Sequence, residues 1–168
     1  MPILDPHALE VTSLSPEQTQ RYGMRIGQLL QPGDVICLSG ELGAGKTTLA
    51  AGIGRGWGAL EKVTSPTFVI VNEYHRADGA ELHHVDCYRL ESELDINSSG
   101  LPERIENGAT LLIEWPEKAA GWLPAAMLQV DLEYMEDERR TIHLRPNGRR
   151  FESFMAAFRK SAFGQQVA

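Results

Sequence analysis

Cysteine is scarce in this 168-residue chain: Cys37 and Cys87 are the only two, each in an apparent strand. A disulfide framework is thereby excluded as the basis of the fold, and both read as reduced, buried thiols of a cytoplasmic protein. Positive charge is short too, 16 Lys and Arg against 23 Asp and Glu, for a formal net charge of −7. Non-specific adhesion to DNA or to an anionic membrane is not expected of such a chain. No apolar run approaches the ~18–20 residues of a membrane span. Met1 to Thr12 has no cationic segment leading an apolar one, so a signal peptide is not expected. Repeats and low-complexity tracts are missing as well. A composition of 42% hydrophobic and 23% charged residues suits one domain over 1–168 with a core of its own.

What is present centres on Gly40-Glu41-Leu42-Gly43-Ala44-Gly45-Lys46-Thr47, which fits G-x-x-x-x-G-K-[ST]. In such a loop, glycines let successive backbone N–H groups turn inward and form an anion-binding nest. Lys46 would reach the β- and γ-phosphates and the Thr47 hydroxyl would hold Mg²⁺. The helix that follows adds the positive end of its dipole. Context agrees, because Val35-Ile36-Cys37-Leu38 reads as a buried parallel strand and Thr48-Leu49-Ala50-Ala51 as the opening of a helix. A nucleoside triphosphate site is expected.

Leu9 to Thr12 reads as an edge strand. Ser15-Pro16-Glu17-Gln18 is an N-cap, a first-turn proline and a capping-box glutamine, ahead of an apolar stripe at Tyr22, Ile26, Leu29 and Leu30. Gly52 to Gly58 fails the dinucleotide fingerprint, since Trp57 and Ala59 occupy its third glycine position. It reads as a helix terminus and turn with small residues for close packing. Thr64-Ser65-Pro66-Thr67 offers two readings: a hydroxyl loop that senses Mg²⁺ or γ-phosphate, or an ordinary turn. A strand over 68–74, an Asp78-Gly79 turn and a strand over 81–88 follow. The last of these carries Asp86, an acid where a P-loop protein holds its Mg²⁺ shell. His83 and His84 are adjacent on that strand and point to opposite faces, so they cannot share one metal ion.

Glu91 to Asn107 reads as one or two short helices with an acidic, solvated face. Ala109 to Ile113 is the better central parallel strand and leads into Glu114-Trp115-Pro116. Glu114 reads as an acid that binds Mg²⁺ or orients water, or as a strand-end glutamate facing solvent, and Trp115 as a lid on the pocket or plain core. A hairpin over 127–144 and a helix with Phe151, Phe154, Met155 and Phe158 on one stripe complete the chain. This unit, about 125–162, is expected to pack on the same core. Arg145, Arg149, Arg150, Arg159 and Lys160 read as a solvated face rather than a tRNA contact.

Four segments together resemble the TsaE (YjeE) family of bacterial ATPases: Gly40 to Thr48, Thr64-Ser65-Pro66-Thr67-Phe68, His84-Val85-Asp86-Cys87-Tyr88-Arg89-Leu90 and Ile113-Glu114-Trp115-Pro116-Glu117. The resemblance spans roughly Leu9 to Leu144. Cys87 stands where the family more often has leucine, and Pro102 to Ile105 replaces a stretch that usually carries an aromatic residue.

The resemblance implies an α/β P-loop NTPase fold in three layers, its mixed sheet parallel at the centre and antiparallel at the flanks. It implies Mg²⁺-dependent ATP hydrolysis, slow alone, in threonylcarbamoyladenosine modification of tRNAs reading ANN codons. The implied partners are TsaD and TsaB, with tRNA met through the complex, which hydrolysis would reset. By the same resemblance Lys46, Asp86 and Glu114 are catalytic. Glu41, Leu42, Gly43, Ala44, Gly45, Lys46, Thr47, Thr48 and Trp115 bind nucleotide, Thr67 is the switch threonine, and Thr47, Asp86 and Glu114 hold Mg²⁺. From the residues alone, a small-molecule P-loop kinase and an ATP-gated assembly module without turnover stay open.

Overall fold

A computed structural model describes residues 5–64 and 70–164. In chain order its elements are β1 (Leu9–Ser13), α1 (Pro16–Leu29), β2 (Val35–Ser39), α2 (Lys46–Trp57), β3 (Val71–His75), β4 (Glu81–Asp86), α3 (Glu93–Ser99) and α4 (Leu101–Glu106). Then come β5 (Leu111–Glu114), a 3-10 segment (Pro116–Trp122), β6 (Met127–Tyr134), β7 (Arg140–Asn147) and α5 (Arg149–Phe163).

Among the described residues the strands form one seven-stranded sheet, ordered β1-β7-β6-β2-β5-β4-β3. β6, β2, β5 and β4 run parallel, while β3, β7 and β1 pair antiparallel at the flanks. β2 and β5 have helices over both faces, which is why they read as unbroken apolar runs. Strand alternation sorts their side chains into two cores. Ile36, Leu38, Leu82 and Leu112 pack with Ile26, Leu49, Ile53, Phe151, Phe154 and Phe158 from α1, α2 and α5. Val35, Cys37, Val85, Cys87, Leu111 and Ile113 pack with Leu90, Ile96 and Leu101 on the other face. The result is the expected three layers. Each fully buried phenylalanine contributes ~2–3 kcal/mol by area removed from water. Burial also pushes both cysteine thiols up to about 12, so they are inert at neutral pH.

α1 begins as its sequence signals, with the Ser15 hydroxyl accepting from the Gln18 N–H at 3.1 Å. Gln18 reaches back one residue further than a standard capping box and accepts from the Leu14 N–H at 2.7 Å. α2 extends through most of the glycine-rich stretch and leaves the helix only at Gly58. Those glycines are costly in a helix, and the compensation is close approach to α1. A Cβ built on Gly23 or Gly27 would fall on the backbone of α2, and one on Gly52 or Gly56 on that of α1. Both pairs are spaced by four residues, so each forms a ridge of bare backbone along one helix face.

The basic C-terminal segment is largely structural. Arg150 grips both carboxylate oxygens of buried Asp34, at 3.0 and 2.6 Å, and Arg159 donates to the Ala8 carbonyl at 2.7 Å.

Candidate functional site

The loop Gly40–Gly45 joins β2 to α2 at the C-terminal edge of the parallel strands, where open α/β sheets bind ligands. Gly45 caps α2 with φ +104°, a conformation open to glycine at little cost. Lys46 opens the helix and is 6% exposed. Its Nζ donates to the carbonyls of Gly40 and Glu41, the second at 2.9 Å, and sits 4.4 Å from the centre of the Trp115 ring. Thr47, by contrast, is exposed at the helix start.

Both strand-end acids lie beside this loop. Asp86 and Glu114 are direct register partners on β4 and β5. The Asp86 Oδ1 accepts from the Tyr88 N–H at 2.9 Å. Glu114 is 3% exposed, and its Oε2 lies 2.7 Å from Nε2 of His84. Burial is the largest influence on Lys46 and Asp86, and it works against both charges. It lowers the Lys46 ammonium against the pull of Glu114, Glu117 and Asp86. It raises the Asp86 carboxyl, with Glu114 pushing the same way and the Tyr88 N–H, His84 and Lys46 opposing. Charges are thus held at a cost in a partly dry cleft, which suits a ligand that brings both signs.

Trp115 adopts φ 56° and ψ 50°, a left-handed conformation rare for a bulky residue and rarer still before proline. That turn lays its ring across Lys46 and 4.9 Å from the ring of Tyr88. Glu117 follows on the 3-10 segment, its Oε2 accepting from the Ser39 hydroxyl at 3.4 Å. On the opposite side Arg140, from β7, donates from Nε to the Ala44 carbonyl at 2.9 Å and from Nη2 to that of Gly43 at 3.2 Å.

The fold therefore gathers Lys46, Asp86, Glu114 and Trp115, as their motifs anticipated. Glu41, Leu42 and Gly43 are exposed on the loop and Ala44 is buried beneath it. Thr67 and the rest of 65–69 lie outside the described residues. Three contributors were not anticipated: His84, Glu117 and Arg140. His84 had a signal, since it stands two residues before Asp86 on a strand and so shares its face. Its neighbour His83 does face the other way, bonding Arg104 Nε through Nδ1 at 3.1 Å. Arg140 had no local signal, being 97 residues from Gly43.

Hydroxyl and carboxylate oxygens at a phosphate loop fit Mg²⁺, which takes one or two carboxylates and completes its shell with phosphate and water. Among the described residues no group of three or more His, Cys, Asp or Glu forms a cage that would hold a metal alone.

By fold and by site the chain is a P-loop NTPase. Residues 13–142 match the family model described as threonylcarbamoyl adenosine biosynthesis protein TsaE, and the chain belongs to that family. The tRNA threonylcarbamoyladenosine biosynthesis protein TsaE of Bacillus subtilis (strain 168) is 37% identical over 145 residues, covering 86% of this chain and 89% of that protein. Its counterpart of the same name in Treponema pallidum (strain Nichols) is 37% identical over 134 residues, 80% of this chain and 98% of the relative. The crystal structure of Bacillus subtilis YdiB superposes with a TM-score of 0.72 at 30% identity, over 92% of this chain and 95% of that one. The family places the chain in tRNA threonylcarbamoyladenosine biosynthesis. No helix among the described residues is long and apolar enough to cross a membrane.

Proposed function

We propose that this chain hydrolyses ATP in the cytoplasm to reset a TsaB–TsaD complex between rounds of threonylcarbamoyladenosine formation on tRNAs reading ANN codons. The observation that carries the reading is the register pairing of Asp86 with Glu114 at the strand ends beside Lys46. One half-buried acid at a phosphate loop suffices to hold a metal shell; a second, drier one suits the orientation of attacking water. Mg²⁺, held by Thr47 and Asp86 with Glu114 adjoining, would neutralise charge on the transferring phosphate oxygens. Lys46 is placed to bind the β- and γ-phosphates, and the loop N–H groups to cradle them. Trp115 closes one side of the cleft over Lys46 and limits entry of bulk water. The Ser65–Thr67 segment would supply the switch threonine, and the chain, hairpin included, would act as one ATPase domain.

Arg140, which meets the loop, is engaged by the Ala44 and Gly43 carbonyls, and this suits slow turnover by the isolated protein and stimulation by partners. The deciding measurement is phosphate release from ATP, alone and then with TsaB, TsaD and tRNA. A low rate, raised at least about tenfold by the partners and lost in Glu114→Ala, is expected. Unchanged turnover with partners would overturn the coupling. Transfer of phosphate to a small-molecule acceptor would replace it with a kinase. Repeated modification cycles driven by a hydrolysis-dead, ATP-binding variant would reduce the role of ATP to occupancy.

A further inference from the structure

His84 is wholly buried, although it is polar. Its Nε2 lies 2.7 Å from Oε2 of Glu114, and its ring leans on Tyr74 at a centroid distance of 6.2 Å and 37° between planes. Its other nitrogen, Nδ1, has no hydrogen-bond partner among the described residues. Of the two tautomers, the one with hydrogen on Nε2 is the less costly. It donates to the carboxylate and leaves only a lone pair unsatisfied, whereas hydrogen on Nδ1 would strand a buried donor. An aromatic hydrocarbon side chain would fill the same space with no unpaired nitrogen, at the cost only of the donor that meets Glu114 Oε2. Packing therefore does not account for an imidazole here.

We propose that His84 is a positioning residue for ATP hydrolysis, donating from Nε2 to fix the plane and rotamer of the Glu114 carboxylate against Lys46 and Asp86. This rests on Glu114 having the role proposed above. A glutamate at a strand end has three rotatable torsions, and small errors in the aim of its carboxylate cost rate far more than they cost binding. One hydrogen bond to Oε2 from a ring locked in the core removes that freedom. β4 brings both parts of the device: His84 to aim Glu114, and Asp86 two residues on, on the same face.

The test compares His84→Phe with His84→Gln, whose amide keeps a donor. Expected for His84→Phe is a kcat lowered about 10–100-fold, the usual cost of losing a group that orients a ligand or base, with KM and ATP affinity unchanged. His84→Gln is expected to recover most of the rate. In a Glu114→Gln background, His84→Phe should cost nothing further, because the group it aims is already disabled. Independently of activity, long-range ¹H–¹⁵N correlation of the nucleotide-free protein should show the His84 ring protonated at Nε2, with its signals shifted by Glu114→Gln. Full kcat in His84→Phe, a proton on Nδ1, or loss of stability and ATP affinity in proportion to rate in both variants would each overturn the proposal. If His84→Phe fails to fold, a His84→Gln rate no different from that of His84→Ala overturns it equally. A Glu114→Gln protein that keeps full turnover would instead remove the underlying role of Glu114.

Discussion

Asp86 and Glu114 stand directly opposite each other in register, the last residues of two parallel strands that share a face beside Lys46. Parallel pairing forces this: two strands ending in step deliver their last side chains to one edge of the sheet, one strand spacing of about 4.8 Å apart. Two acids so close are mutually unfavourable, and Glu114 contributes to raising the Asp86 carboxyl. A structural role alone would be better served by apolar or amide groups at these positions. Their separate environments, Asp86 half-buried with a backbone donor and Glu114 buried against an imidazole, suit separate tasks.

Glu114→Gln and Glu114→Ala are expected to differ in stability but not in activity. Both remove the carboxylate, and turnover should fall about 10²–10⁴-fold in each, the range for loss of a positioned acid–base group. The glutamine retains an oxygen for the His84 donor and should unfold near the wild-type temperature. Alanine leaves that donor unsatisfied in the core, at a cost of ~1–3 kcal/mol. Phosphate release and urea unfolding check the two halves separately. Wild-type turnover in Glu114→Gln would remove the residue from the chemistry.

Asp86→Asn is expected to stabilise the free protein at neutral pH while abolishing hydrolysis. Burial raises the folded carboxyl above its ordinary 3.8. A raised carboxyl means that folding favours the protonated form. Its stabilising contribution is complete below pH ~3.8 and is lost as pH rises through the folded value, so at pH 7 the wild type bears the whole penalty. Asparagine keeps an oxygen for the Tyr88 N–H and carries no charge. The variant should therefore melt a few degrees higher at pH 7, with the advantage shrinking toward pH 4. A melting advantage that does not depend on pH would contradict this electrostatic origin.

Much of this was legible because P-loop chemistry is local. Gly40 to Thr47 needs its strand and helix immediately on either side, and the acids announce themselves as polar ends to apolar runs at Asp86 and Glu114. That the sheet is parallel at its centre and antiparallel at its flanks was legible only through family resemblance, and the strand order not at all, since hydrophobic runs do not say which neighbour they choose. Pairings that span the fold left no trace in any window. Glu114 meets His84 across 30 residues, and Arg140 meets the phosphate loop across more than 90. The glycines of α2 were visible, but not their counterparts Gly23 and Gly27, because a bare helix face is meaningful only when its partner is known.

Gly27→Ala is expected to destabilise the protein by about 2–3 kcal/mol, the upper part of the range for overpacking. Alanine is the better helix former by ~1 kcal/mol, so propensity alone predicts the reverse. The clash wins because the new methyl would meet the Ile53 carbonyl and the Trp57 N–H, which are backbone and cannot rotate aside. Gly121→Ala provides the contrast. Nothing lies within 4 Å of its added carbon and its φ is not left-handed, so the effect should lie within about 1 kcal/mol of zero. Chemical denaturation of both variants measures the difference; equal stabilities would mean that the α1–α2 seam can open.

Arg140→Ala is expected to weaken ATP binding about tenfold, equivalent to ~1.4 kcal/mol, with little change in folding. In a trans peptide the carbonyl and the N–H point in opposite directions. By holding the Gly43 and Ala44 carbonyls, Arg140 therefore also fixes the direction of the Ala44 and Gly45 N–H groups. Its guanidinium rests 4.6 Å from the centre of the Tyr134 ring, so the anchor is itself held by the β6–β7 hairpin. Without it the loop would sample other peptide orientations and bear an ordering cost when phosphate arrives. Arg140→Lys should not restore affinity, because an ammonium cannot hold two adjacent carbonyls in one planar fork. Calorimetric titration of ATP into the three proteins tests this. Equal affinities would show that the loop holds its shape from its glycines and Lys46 alone, and that the hairpin contributes only to the sheet.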